Sequence, residues 1–398
     1  MTVSLTTIIA DLESKIANAD SSSSLSDLLS LLNSAERLTG IKSIYDSSEL
    51  NTTAAEVGSV KYLNDGSLRV YDSSSWRILT DEYVPPWTGL QGTTFGYIAG
   101  GQYPTGNNMI QKFSFTSDGN ASDVSDLTVA RGRMSGTSSS QHGYIAGGQA
   151  PANSNVVDRF TFATEGNAVD VGDLLYTVES TASHSDGDFG YISGGYGSPF
   201  SPLAQYISVV QRFPFASSIT TTDVGHFSSN NIQRHAGVSS TTHGYTMGGK
   251  PSASYGDEIY KFNFSASITS SDIGNLTQAR QELCGQSSST HGYATGGYHN
   301  SPSPNQTNGI WNTIDKVAFA SDGDATDVGD LPSQGGAFRQ RSSNANESTT
   351  NGYCSGGVPH VIEEMSKFPF ASDTNATDIG DLVNPQNALD GAGNMNGR

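Results

Sequence analysis

HGYIAGG occupies residues 142–148, and close copies stand at 95–101 (FGYIAGG), 189–195 (FGYISGG), 243–249 (HGYTMGG), 291–297 (HGYATGG) and 351–357 (NGYCSGG). Aligned on Tyr97, Tyr144, Tyr191, Tyr245, Tyr293 and Tyr353, the copies lie 47, 47, 54, 48 and 60 residues apart. A period of this size belongs to propeller blades or solenoid coils, whose units bury their faces only by stacking on neighbours.

The same parts recur around each copy. A small-residue stretch such as RMSGTSSS (133–140) comes first, followed by the Gly-Tyr segment and a variable loop. A segment such as VVDRFTFA (156–163) is next, then a turn and AVDVGDL (168–174). The third part carries a basic residue before phenylalanine in five copies, at Lys112, Arg159, Arg212, Lys261 and Lys367, and Lys316-Val317-Ala318-Phe319 in the other. Alternation of period two places the aromatic residues on one strand face and the basic residue on the other. The six basic residues could line an anion site, but a cross-strand ion pair with the aspartate of the next segment (Asp123, Asp170, Asp223, Asp272, Asp327 or Asp378) is the expected arrangement. The double glycines predict a strand end with positive φ or close backbone approach. Phosphate binding is a poor alternative, because no helical pattern follows any pair.

Four strands per unit with a closing Gly-Gly resemble the kelch-type β-propeller over about 88–398, with Asp-Val or Asp-Ile where kelch fourth strands carry tryptophan. The resemblance implies a mainly β fold, a six-bladed kelch-like propeller. Both ends, GLQGTTFGY (89–97) and LDGAGNMNGR (389–398), read as first strands, so the C-terminal copy is expected to complete the first blade.

Residues 1–83 hold no repeat. Ile8, Leu12 and Ile16, then Leu25, Leu28, Leu29, Leu32 and Leu38, follow helical spacing, with Asp20–Ser24 as a cap and Gly40 as a stop. The expected organisation is a helical anchoring or oligomerising segment (1–42), a small β module (43–83), a Pro-Pro linker (84–87) and the propeller (88–398). Asn64-Asp65-Gly66 predicts a hairpin turn, and Trp76 opens a third strand of a β-meander. An apolar helical stripe without its own core implies a neighbour through Ile8, Leu12, Ile16, Leu28 and Leu32.

The chain has 398 residues, 45 glycines, 15% charged residues and a formal net charge of −19. This acidity argues against nucleic acid and anionic membranes as partners. The N-terminus, MTVSLTTIIADLESK, has no basic start and no long apolar run, so synthesis in a cytoplasm without membrane insertion is expected. Cys284 and Cys354 fall at different places in the repeat and are expected as thiols.

No ligand spacing of the histidines, CxxC, HExxH or EF-hand loop occurs, so neither metal nor cofactor is expected. His142, His243 and His291 share a slot with phenylalanine and asparagine and are read as packing or capping residues. Most aspartates recur with the repeat, which a single glycosidase site would not require. Between Gly-Gly and the basic residue lie 10, 10, 16, 11, 18 and 9 residues. The two longest loops carry Tyr196, Phe200, Tyr206, Tyr298, His299, Asn300, Asn305 and Trp311, a set of ring faces and amides suited to sugar. The alternative is that these loops pack on each other or on a neighbouring subunit.

The order of helices, β module, Pro-Pro hinge and Gly/Ser/Asn-rich repeats resembles appendage proteins of tailed-phage virions, particularly marine ones. That resemblance implies a non-enzymatic tail fibre or capsid appendage, made in the host cytoplasm and carried on the particle, whose propeller serves host-surface recognition or particle assembly. Its implied partners are other virion proteins and host-surface glycan, and the apolar helical stripe adds further copies of the chain, with a trimer favoured. A cellular kelch-like scaffold and a polysaccharide-degrading enzyme are the competing readings.

Overall fold

A computed structural model describes residues 91–397, except 102–105, 150, 198–204, 229–230, 252–253, 301–308, 333–343, 358–362 and 384–391, together with three strands within 60–79. The chain divides into two compact units, Met1–Pro86 and Trp87–Arg398. In the first, Val60–Tyr62, Leu68–Tyr71 and Trp76–Leu79 form an antiparallel meander, with Val60 opposite Val70 and Leu68 opposite Leu79. The strands flank Asn64-Asp65-Gly66 as the alternation predicts, and Trp76 opens the third. The expected helices, with Ile8, Leu12, Ile16, Leu28 and Leu32, and the Pro-Pro linker lie outside the described residues.

The second unit is a β-propeller-like arrangement of small antiparallel sheets, with no helix among the described residues. The expected fold class, six separate blades preceded by helices, requires correction. Four blade-sized sheets are discrete. Copy one provides Phe95–Gly101, Asn107–Ser114 and Ser122–Asp126, with Ala392–Gly397 on the inner side. Copy four provides a five-stranded sheet spanning Ile232 to Asn275, copy five the strands from Cys284 to Asp330, and copy six those from Asn344 to Asp381.

The strands of copies two and three instead form one continuous eight-stranded sheet. The join is made by Val169–Glu179, an eleven-residue strand that runs past its own repeat and pairs Val178 with Gly197 and Glu179 with Tyr196. Leu174-Leu175-Tyr176-Thr177-Val178 supplies the β-branched and aromatic residues that allow this extension.

The repeated tyrosine is the main packing device. Tyr97 sets its ring against Phe160 and Phe162 of the next copy, with centroids 5.2 and 4.9 Å away. Tyr144 meets Phe213 and Phe215, Tyr191 meets Phe264, Tyr245 meets Phe319, and Tyr293 meets Phe368 and Phe370. Tyr353 returns to Phe113 and Phe115 of copy one. All six tyrosines are buried, and each aromatic contact adds about 0.5–1.5 kcal/mol beyond area burial. The Phe-x-Phe segment is therefore the receptor for the preceding copy's tyrosine, and the ring closes through these contacts.

Closure by the C-terminal strand follows the expected pairing, with Met395 opposite Tyr97 and Asn396 opposite Gly96. Residues 91–92, read in sequence as part of a first strand, instead reach across to copies five and six. Gln91 Nε2 donates to the Ser287 carbonyl, and Gly92 N donates to that of Glu347. The double glycines behave as read. Gly147 and Gly148 have φ of 66° and 100°, and a Cβ on Gly147 would stand 2.7 Å from the Val178 carbonyl oxygen.

Candidate functional site

The basic residues expected to pair across their own sheet pair instead with the following copy. Lys112 binds Glu165, Lys261 binds Asp322, Lys316 binds Asp373, and Lys367 binds Asp118. Each acid sits in the turn after the neighbour's Phe-x-Phe segment or, for Asp322, after Val317-Ala318-Phe319. At the two remaining junctions that turn position holds Ser218 or Ser267, and the basic residue is Arg159 or Arg212. Arg212 lies over the Phe189 ring at 4.4 Å, a contact that suits a planar guanidinium.

The fourth-strand aspartates have a different task. Asp170, Asp223, Asp272, Asp327 and Asp378 each accept a hydrogen bond from the backbone N–H of the glycine two residues on. These Asp-x-Gly turns sit at the bulge where each third and fourth strand change register. They are not the partners of the lysines.

Two buried ion pairs escaped the sequence reading. Arg131 bonds Asp158 at 2.9 Å, and Arg280 bonds Asp315 at 2.9 Å, all four side chains being essentially inaccessible. Each guanidinium also donates to three carbonyls, Gly147, Ile145 and Val129 in one case and Gly296, Ala294 and Gln278 in the other. Thr128 and Thr277 complete the carboxylate shells through their backbone N–H and hydroxyl groups. The signal was Thr-x-x-Arg at 128–131 and 277–280, matched with aspartate before the basic residue of the next copy.

Another buried network resembles a catalytic dyad in composition. Ser193 Oγ lies 2.9 Å from His184 Nε2 and 3.2 Å from His235 Nε2. Burial lowers the pKa of His184 to about 4 and that of His235 to about 3, the latter also because a protonated His184 would repel a second charge beside it. Both rings are therefore neutral at pH 7. Ser193 has no accessible surface, so a substrate cannot reach it, and the network serves packing. Among the described residues no group of three or more His, Cys, Asp and Glu side chains could hold a metal ion. His142, His243 and His291 are half-buried at strand starts, where burial is the leading cause of their lowered pKa values.

The aromatic loop residues separate into two clusters. Tyr196 and Tyr206 face each other across paired strands, with ring centroids 5.6 Å apart. The Tyr196 carbonyl accepts from Asn153 Nδ2 of copy two. Tyr298 and His299 meet Tyr255 of copy four at 6.1 and 4.3 Å, a partner that the sequence reading missed. Asn300 is exposed beside them in the chain, while Phe200 and Asn305 lie outside the described residues. Trp311 is not a surface anchor. It is only 5% exposed, with its backbone N–H donated to the Gly297 carbonyl.

At the centre, the inner strands leave a small polar opening lined by Ser135, Thr181, His235, Cys284, Asn344 and Asn394 among others. The fold and these surfaces define the class as a β-propeller-like protein of small antiparallel sheets. No protein-family model and no curated protein matches the chain.

Proposed function

We propose that this chain is a non-enzymatic virion structural protein, a tail fibre or capsid appendage of kelch-like type, that displays its propeller for recognition of host-surface glycan. The observation that carries the recognition part is the half-exposed pair of aromatic clusters, Tyr196/Tyr206 and Tyr298/His299 on the two longest loops of the repeat, the latter joined by Tyr255 of copy four. The rings meet edge to face or tilted, and an aromatic ring face suits the apolar face of a sugar, while Asn153 and Asn300 supply adjacent amides. The virion assignment rests on the order of the sequence segments, with Ile8, Leu12, Ile16, Leu28 and Leu32 as the anchoring stripe toward virion proteins or a trimer.

Mass spectrometry of purified phage particles tests the assignment, and absence of the chain from particles overturns it. Binding of the full chain to host-envelope polysaccharide tests recognition. Tyr206→Ala and His299→Ala should each weaken binding at least tenfold while leaving the melting temperature within a few degrees of the parent. Unchanged binding in both variants removes the aromatic clusters from consideration.

A further inference from the structure

Cys284 and Cys354 stand 70 positions apart in sequence, yet their Sγ atoms lie 3.6 Å from each other. Cys284 begins the inner strand Cys284–Ser287 of copy five, and Cys354 lies within Asn351–Ser355, the second strand of copy six. Both are thiols, buried in one cluster with Tyr293, Ile314 and Phe368. Their juxtaposition is a property of the repeat. At the preceding junction the equivalent positions are Ala236 and Ala294, which also share a cluster. Only at the junction of copies five and six do both positions carry sulfur.

We propose that Cys284 and Cys354 form a redox site, a dithiol that a small peroxide converts to a disulfide linking two neighbouring sheets. Cys284 lines the central opening, which gives a small oxidant a route that a bulky one lacks. The Cys284 thiolate attacks one peroxide oxygen, the O–O bond breaks, and hydroxide leaves a sulfenic acid on Cys284. The Cys354 thiolate then attacks that sulfur, the S–S bond forms, and a second hydroxide leaves. With the two thiol protons, the hydroxides become two waters. The sulfurs together lose two electrons, and the peroxide gains them. Closing to a disulfide length of about 2.05 Å requires the sulfurs to approach by roughly 1.5 Å. Thr295 Oγ1, at 3.8 Å from Cys354 Sγ, is the polar neighbour of the second thiol.

The test uses the folded full chain treated with hydrogen peroxide, then denatured, alkylated and mapped without reduction. The expected product joins the Cys284 and Cys354 peptides, has lost both alkylatable thiols together, and reverts with dithiothreitol. In Cys354→Ser the first step should stop at a sulfenic acid that dimedone captures on Cys284, whereas the parent chain should yield little dimedone adduct. The proposal is overturned if the two cysteines oxidise independently to sulfinic acids. It is equally overturned if both remain alkylatable after peroxide, or if the disulfides formed join separate chains.

Discussion

Lys367 and Asp118 are 249 residues apart in the chain, and their side chains meet at 2.5 Å where the last repeat copy faces the first. The contact is the same one that joins Lys112 to Glu165 and Lys316 to Asp373, so the seam of the ring uses the bond found within it. Asp118 is largely exposed, which limits what this pair contributes. Lys367→Ala should cost no more than about 1 kcal/mol in urea unfolding. A double-mutant cycle with Asp118→Ala should show coupling that shrinks in high salt.

The seam is held chiefly by the C-terminal strand and by Tyr353. Deleting residues 392–398 should lower the melting temperature sharply, because it bares the edge of Phe95–Gly101 and uncovers Met395's cluster with Tyr97 and Phe160. A deletion variant that melts like the parent would show that strand pairing at the seam is dispensable.

The buried pairs should respond very differently from the surface ones. Asp158→Ala leaves the Arg131 guanidinium inaccessible and without its carboxylate, and should cost about 3–5 kcal/mol. Asp315→Ala should behave alike through Arg280. Chemical unfolding that places either variant within 1 kcal/mol of the parent, about the level of a surface pair, would contradict this account.

Acid should destabilise the protein through its buried histidines. In the folded state His184 and His235 have pKa values lowered to about 4 and about 3, against an ordinary 6.5. A depressed histidine favours the neutral form in the fold, so its stabilisation is present above pH 6.5 and lost as pH falls toward 4. Each such group adds a slope of about 1.4 kcal/mol per pH unit in that window. Melting curves between pH 7 and pH 4.5 should show this slope, and His235→Gln should flatten it.

Glu347 should act in the opposite direction. Desolvation pushes its pKa well above the ordinary 4.5, against a weaker opposing hydrogen bond from Asn396. The fold binds this proton more tightly than the unfolded chain, so the stabilisation is complete below pH 4.5 and declines as pH rises toward the folded value. Asn394, with its amide turned to donate, reaches Glu347 Oε2 at 3.3 Å, placing the carboxyl beside the C-terminal strand. Glu347→Gln should therefore raise the melting temperature at pH 8 relative to the parent and leave it nearly unchanged at pH 4.

Much of the architecture was legible because periodicity and turn chemistry are local signals. The Gly-Gly strand ends, the meander around Asn64-Asp65-Gly66 and the seventh first strand at 392–397 all follow from residues close together. The misreadings concern partners supplied by another repeat. Lys112 has Asp123 nearby in sequence, but its acid is Glu165. The exchange of Lys for Arg at 159 and 212, where the next turn carries serine, was the available clue. The merging of copies two and three depended on Val178 standing where Arg131 and Arg280 end the corresponding segments. In the candidate surface, Tyr255 was overlooked because its loop is of ordinary length, and Trp311 was misplaced because a long loop can fold back and bury its aromatic residue.

Because Ala392–Gly397 supplies the inner strand of the sheet that begins at Phe95, the first repeat to be synthesised is the last to be finished. Until a ribosome has read through codon 397, the emerging repeats form an arc with a bare strand edge. A stalled or prematurely terminated product keeps that edge, which can recruit strands from other chains and mark the product for aggregation or removal. Synthesis of Ala392–Gly397 and loss of the adhesive edge are thereby the same event.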